Sequence, residues 1–408
     1  VLVRIGGSRV GEIGRFALQA GIVVALYGLA VTVLGLRWKH SGMLESGRRA
    51  VTVWALLVGL AAGALLAAFL SRDFSVRFVA GASESTQSLF YTITAFWGGH
   101  DGALLLWACV LALYMVLGVR SLRWYPELQG PATAVFFLVA AFFSLLLATA
   151  SNPFAPLLPP PPDGQGLNPL LRNPWMAAHP PALYLGFVGM TVPFALVVAA
   201  LIAGRLDDTW VVLSRRWVIV AWLFLTLGLL FGAKWSYVVL GWGGYWAWDP
   251  VENAALMPWL TATAWLHSIQ IQERRGMLLT WNVALLLITF GLTIFGTFLV
   301  RSGVLSSIHA FAQSPIGYYF LAFLAVLLVG SFGLLVWRWD MLRSRGTVES
   351  VISRETAFLA NNLLFVAATV VVFVGTIFPA LTEVFSGVKI NVGPTYYNLV
   401  MIPIAVGI

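Results

Sequence analysis

Apolar residues run in this chain in blocks of about 20, the length that crosses a bilayer as a helix. Such blocks at 16–36, 51–70, 102–119, 131–150, 179–203, 217–233, 251–272, 278–298, 316–336 and 356–378 predict ten spans, with an eleventh starting near 396. Inside lipid the backbone must satisfy its own hydrogen bonds, so the pattern predicts helices rather than open sheets. The expected architecture is an all-α polytopic membrane protein. It is a bundle of about ten to eleven transmembrane helices in this chain, with short extracytoplasmic loops. The interruptions suggest three parts: 1–150, four helices with an interfacial segment at 86–101; 151–315, a core holding the unusual loops; and 316–408, the C-terminal helices. The chain opens on Val1 and stops at Ile408 inside an apolar run, so both ends are expected to be incomplete.

One stretch breaks the apolar pattern, 234–259, reading KWSYVVLGWGGYWAWDPVENAALMPW. It crowds Trp235, Trp242, Trp246, Trp248 and Trp259 around Gly241, Gly243 and Gly244. Glycine lets backbone approach a flat ligand closely, and indoles offer rigid apolar faces with one donor each. The run ends in Asp249-Pro250-Val251-Glu252, a helix start with Asp249 as N-cap, Pro250 at N1 and Glu252 closing a capping box. The alternative reading is an interfacial aromatic belt. Belts, however, spread over many helix ends rather than crowding one loop.

Composition narrows the class. Hydrophobic residues make up 60% of the chain and charged ones 10%, with a mean hydropathy of +0.89. That excludes an ordinary soluble domain. The net charge of +8 does not point to nucleic acid, because the basic residues lie between spans. Cys109 is the single cysteine, so no disulfide or CxxC pair can form within the chain, and thiol redox chemistry would need partners. One alternate set of loops holds 15 basic residues and the other six, which orients the first set to the cytoplasm. Arg4, Arg9 and Arg15 run against this rule.

The extracytoplasmic loops hold nearly all the candidate chemistry. Residues 90–102 (FYTITAFWGGHDG) are too short and interrupted to span. Residues 151–178 are proline-rich and read as a stiff rim element rather than a flexible linker. His179 opens the fifth span and His309 lies in the loop 299–315; each is open to reading as a solvated loop residue or as an iron ligand. His267 lies 15 residues after Glu252, roughly 22 Å along a helix and inside the bilayer. A histidine there is either a helix–helix hydrogen bond or a metal ligand. His40 and His100 carry no assignment. No Asp, Glu or Lys occupies the middle of a predicted span, which counts against a proton-coupled transporter. Walker A, HExxH and a defensible serine–histidine arrangement are likewise missing. A flat apolar ligand held by indole faces and imidazole nitrogens remains, and haem fits that description.

The segment GWGGYWAWDP at 241–250 resembles the WWD signature of the haem-handling proteins of cytochrome c maturation. The number of spans, NPLL at 168–171 with His179-Pro180-Pro181, and GTFLVRSGV at 296–304 with His309 resemble the large CcmF/NrfE-type haem lyases. WGGHDG at 97–102 and the paired asparagines Asn361 and Asn362 look familial too. Tyr245 and Ala247 stand where many members carry bulkier aromatics.

The resemblance implies an enzyme of the inner membrane of bacteria, with its working loops on the periplasmic side. It implies His179 and His309 as ligands of a transient haem at the WWD site, and Trp242, Trp246 and Trp248, beside Tyr245, as its stacking surface. Asp249 would cap the following helix, and Arg301 or Arg172 would pair with propionates. It further implies a membrane haem b ligated by His267 and by a histidine further along than this chain extends. The reaction implied is thioether attachment of ferrous haem to the CxxCH cysteines of apocytochrome c. Implied partners are a CcmE-type haem chaperone, apocytochrome c, CcmH-type thiol-handling proteins, quinol as electron donor, and membrane lipid. A haem carrier or exporter without attachment activity, and a polytopic transporter, are the rival readings.

Overall fold

The apolar blocks fold as helices, because in lipid each backbone amide needs an acceptor along its own chain. The computed structural model describes residues 9–241, 243–302, 316–342 and 354–408, with 354 and 355 as backbone only. It divides into two compact units, Val1–Tyr184 and Leu185–Ile408, with the boundary inside one helix. Nine helical segments among the described residues are long and apolar enough to cross a membrane.

In the first unit, α1 (Arg9–Trp38) and α2 (Ser41–Leu70) form a hairpin turned at Lys39 and His40. The His40 imidazole caps α2, accepting from the amide of Met43 at 3.2 Å. That gives a structural role to a histidine with no sequence assignment. Gly14 and Gly28 of α1 lie against the rings of Phe154 and Phe137, where any Cβ would overlap the aromatic. After the short helices α3 (Arg77–Ala82) and α4 (Leu89–Thr94), a 3-10 turn Ala95–Trp97 leads into α5 (His100–Ser121). The next helix is α6 (Pro126–Ala148). Trp54 of α2 donates to Ser144 of α6 at 2.9 Å, a pin of the kind that small polar side chains supply inside membranes.

The proline-rich stretch after α6 is a strap tied to residues 75–88. Arg77 donates its amide to Ala155, Leu157 to Ser75, and Gln165 to Ala80, at 2.7–2.9 Å. Arg172 binds both the Glu84 carboxylate (2.7 Å) and the Leu167 carbonyl (2.9 Å). Hydrogen bonds from the Ser85 hydroxyl, then from the amides of Ser85 and Gly164, hold the Asp163 carboxyl below the usual carboxylate range. The strap ends in α7 (Pro174–Gly189), which runs across the unit boundary at Tyr184.

In the second unit, α8 (Thr191–Ala203) follows a one-residue break at Met190 and is buried along most of its length. Then come α9 (Thr209–Val239), α10 (Pro250–Arg275), α11 (Leu279–Ser302), α12 (Gly317–Trp337), α13 (Arg354–Ser386) and α14 (Pro394–Gly407). Two of the expected spans stand outside the set of nine. Helix α14 is 14 residues long within the chain. Helix α10 has 26 residues, enough length, but is not apolar enough.

The reason is its position. Helix α10 packs against α9, α11 and α13, and its polar side chains hydrogen-bond to each. Trp222 of α9 donates to Thr263, and Trp259 donates back to Thr226, both at 2.8 Å. The two indoles stack with centroids 5.8 Å apart. On the α11 side, Thr289 meets Thr261 at 2.9 Å, and Ser268, Asn282 and Gln272 form a chain of hydrogen bonds. Asn362 of α13 donates to the Ala264 carbonyl at 2.5 Å and accepts from Trp281 of α11 at 2.7 Å. A helix surrounded by protein can carry polar groups that a lipid-facing helix excludes, provided each is paired.

Candidate functional site

The tryptophan loop at 240–249 joins the end of α9 to the start of α10. Its last residues are held by the capping box anticipated from sequence. The Asp249 carboxylate accepts from the amide of Val251 at 2.9 Å. Glu252 reaches back to accept from the amides of Asp249 (3.1 Å) and Ala247 (2.9 Å). One carboxylate thus binds loop and helix start together. Glu252→Ala is expected to lower stability by about 1–2 kcal/mol through the lost cap. Glu252→Gln, which keeps an acceptor oxygen, should lose much less; thermal unfolding in detergent with a tryptophan fluorescence readout measures both.

Trp248 has φ +57°, a left-handed conformation that is rare for a bulky side chain and persists only where its surroundings enforce it. Here they do. Its indole stacks on Tyr397 with centroids 4.8 Å apart and planes 11° from parallel. Its Nε1 donates to Asn398 at 2.8 Å, and its carbonyl accepts from Asn253 at 3.2 Å. Asn253 also donates to Thr376 of α13 at 3.0 Å. Trp246 meets Trp248 edge-on at 5.8 Å, and its buried Nε1 has no partner among the described residues. Tyr245 is 52% exposed and stacks flat on Tyr237 of α9 at 4.3 Å. Gly243, at φ +69°, permits the turn before it. Trp242 lies outside the described residues.

His267 sits four turns further along α10, half-buried, its ring between Phe365 (5.5 Å) and Phe358 (6.1 Å) of α13. Its Nδ1 is buried and makes no hydrogen bond among the described residues. The helix–helix hydrogen bond at this level is made by Asn362, which donates to the Ala264 carbonyl; the neighbouring Asn361 has a buried Oδ1 with no partner among the described residues. A cavity of about 790 Å³ lies along α10, α13 and the end of α14, its lining including Gln270, Arg274, Phe358, Asn361, Leu364 and Ile408 but not His267. That is within the roughly 300–1,000 Å³ of small-molecule sites. An imidazole with an unspent nitrogen between aromatic side chains is the chemistry of a haem ligand.

His179 is half-buried on the second turn of α7, a helix whose start is capped by Asn173 accepting from Trp175 at 2.9 Å. Arg172 pairs with the Glu84 carboxylate and donates to the Leu167 carbonyl. Arg301 closes α11 and is only 4% exposed. His309 lies outside the described residues. The structure therefore gathers Trp246, Trp248, Asp249 and Glu252 into one assembly and adds Asn253, Thr376, Tyr397 and Asn398. Of these additions only Asn253 carried a local signal, as the residue after the capping glutamate.

Comparison with known proteins agrees with this picture. The model of the cytochrome c assembly protein family matches residues 97–309. The cytochrome c-type biogenesis protein CycK of Rhizobium meliloti is 42% identical over 96% of this chain and 59% of its own length. CcmF of Pseudomonas aeruginosa is 42% identical over 96% of the chain and 60% of its own. NrfE of Haemophilus influenzae is 36% identical over 97% of the chain and 63% of its own. The chain thus spans about three-fifths of the relatives it matches. A solved structure of the cytochrome c haem lyase CcmF superposes with a TM-score of 0.81 at 34% identity, over 100% of this chain and 61% of that one. The matched family region takes in more than half of the sequence, and the chain belongs to the cytochrome c assembly protein family, among its CcmF/NrfE-type members.

Proposed function

We propose that this protein acts in a haem lyase: it holds haem for covalent attachment to apocytochrome c and keeps a membrane haem b, ligated by His267, for reduction. The observation that carries this is the continuity of α10. A glutamate-locked aromatic loop starts the helix, and the same helix presents a half-buried histidine, packed between Phe358 and Phe365, whose buried Nδ1 has no partner among the described residues. The haem to be attached is the substrate. His179 and His309 supply its axial ligands, and Trp242, Trp246, Trp248 and Tyr245 its aromatic surroundings. Asp249 shapes the loop and Arg301 pairs with a propionate. Each thioether forms when a cysteine S–H adds across a vinyl C=C: sulfur bonds one carbon, the proton goes to the other, and no electrons are gained or lost. The protein needs no nucleophile of its own. Its contribution is to hold porphyrin and CxxCH peptide in register, which makes a bimolecular addition effectively unimolecular.

The resident haem supplies one-electron reduction of ferric to ferrous iron, with a quinol as the source of electrons. His267 would hold it, and Phe358 and Phe365 would pack its ring. The skewed distribution of basic residues supports the bacterial inner membrane, with the tryptophan loop on the periplasmic side. A CcmE-type chaperone would deliver haem, and CcmH-type proteins would present reduced apocytochrome thiols.

The test is reconstitution of the full-length protein with a ferrous haem donor and an apocytochrome carrying CxxCH. A Soret band with thioether-linked product supports the reading. A Soret band without covalent product overturns the lyase in favour of a haem carrier. Absence of any Soret band overturns both haem readings.

A further inference from the structure

The helix that carries His179 is fastened at its start through one guanidinium. Arg172 stands two residues before α7 and binds on two sides. Its Nη2 donates to the Glu84 carboxylate at 2.7 Å, and its Nε donates to the Leu167 carbonyl at 2.9 Å. Strap and segment 75–88 are thereby joined at the point where the chain enters α7. Gly166 makes room for the pair. Its φ of +80° suits glycine, and a Cβ there would lie 2.7 Å from Arg172 Nη2 and 2.8 Å from Glu84 Oε2. Leu167 is held in turn by its amide, which donates to Gln87 Oε1 at 2.9 Å. Next after Arg172 comes Asn173, whose side chain accepts from the amide of Trp175 and whose carbonyl accepts from that of Ala177, both at 2.9 Å. The same turn rests on the WGGHDG segment: Trp97 and Gly98 close on Leu171, Met176, Ala177 and Pro180 around a void of only about 10 Å³.

Exposed ion pairs contribute little to stability, so a seat kept open by a left-handed glycine points to a demand on geometry. We propose that Glu84 and Arg172 are positioning residues for His179: their ion pair fixes the direction in which α7 leaves the strap, and with it the place of the imidazole. This rests on the reading of His179 as a ligand of the haem to be attached. Five residues of helix separate Pro174 from His179, a rise of about 7.5 Å. A tilt of roughly 8° at the start of α7 then moves residue 179 by about 1 Å. A shift of that size at a reacting centre costs about 10²-fold.

The test uses the full-length protein with a ferrous haem donor and apocytochrome. In Glu84→Gln, kcat for covalent attachment should fall at least about tenfold while KM for the haem donor changes less than about twofold. The spectrum of the haem awaiting transfer should change, and the melting temperature should stay within a few degrees of wild type. Exchanging the charges, Glu84→Arg with Arg172→Glu, should restore most of the rate and the spectrum that either single change loses. In His179→Gly supplied with free imidazole the ligand is no longer tied to α7, so adding Glu84→Gln should cost less than about twofold more. An unchanged rate and spectrum in Glu84→Gln, where His179→Ala is impaired, overturns the proposal. So does a further tenfold loss in the imidazole-supplied background, because the ion pair would then act elsewhere. Attachment that survives His179→Ala overturns the underlying reading of His179 instead.

Discussion

His267→Ala is expected to abolish the b-type reduced-minus-oxidised spectrum of the full-length protein while leaving it folded. The imidazole contributes little to packing that alanine would forfeit: it is half-buried between two phenylalanines and makes no hydrogen bond through its buried Nδ1 among the described residues. The contacts that fasten α10 to α13 at this level are those of Asn362, which stay intact. Melting temperature in detergent should therefore stay within a few degrees of wild type, and loss of colour cannot be put down to collapse. Attachment of haem driven by quinol should fail in the same variant, since one iron ligand of the electron-supplying haem is gone. A chemical reductant such as dithionite should restore it, because the thiol addition itself moves no electrons. An unchanged reduced spectrum would refute the assignment, and failure of the reductant to rescue attachment would refute its role in reduction.

What the sequence allowed and what it withheld divide by distance along the chain. The capping box is local, its two ends three positions apart, and each partner's chemistry is dictated by the position it occupies at a helix start, so Asp249, Pro250 and Glu252 were readable as they stand. The apolar blocks were readable for the same reason. The strained Trp248 was not: its stacking partner Tyr397 and its acceptor Asn398 lie about 150 residues away, in a segment whose apolar run suggested only another span. Helix α10 was legible as a helix, but its surroundings were not. Its length and apolar residues gave a span like the others, yet its threonines, asparagine, serine and glutamine mark it as the helix that protein surrounds on several sides. Polarity spread over several faces of a long helix, rather than along one stripe, was the available signal. The partner of Arg172 was hidden for the same reason: a free arginine and one tied to Glu84 look identical until the strap and residues 75–88 are seen to run together.

His179→Ala is expected to reduce covalent attachment by at least about 10²-fold, the loss that follows when a reacting centre shifts by about 1 Å. The side chain stands on the second turn of α7, ahead of Pro180 and Pro181 inside the helix. Neither proline has an N–H, so the carbonyls of Met176 and Ala177 lose their helical donors at the level of the imidazole. Paired prolines are costly in a helix that only has to cross lipid, and these follow directly on the one histidine of α7. A purely structural histidine would predict a fall in melting temperature and no response to added ligand. An iron ligand predicts the reverse: stability close to wild type, an altered spectrum of the haem awaiting transfer, and partial recovery of both spectrum and attachment when His179→Gly is supplied with free imidazole. If His179 and His309 act as a pair on one iron, the double variant should be barely worse than either single one, because groups that work as a unit are grossly non-additive. Attachment that persists in His179→Ala, or losses that simply multiply in the double variant, would remove these histidines from the iron.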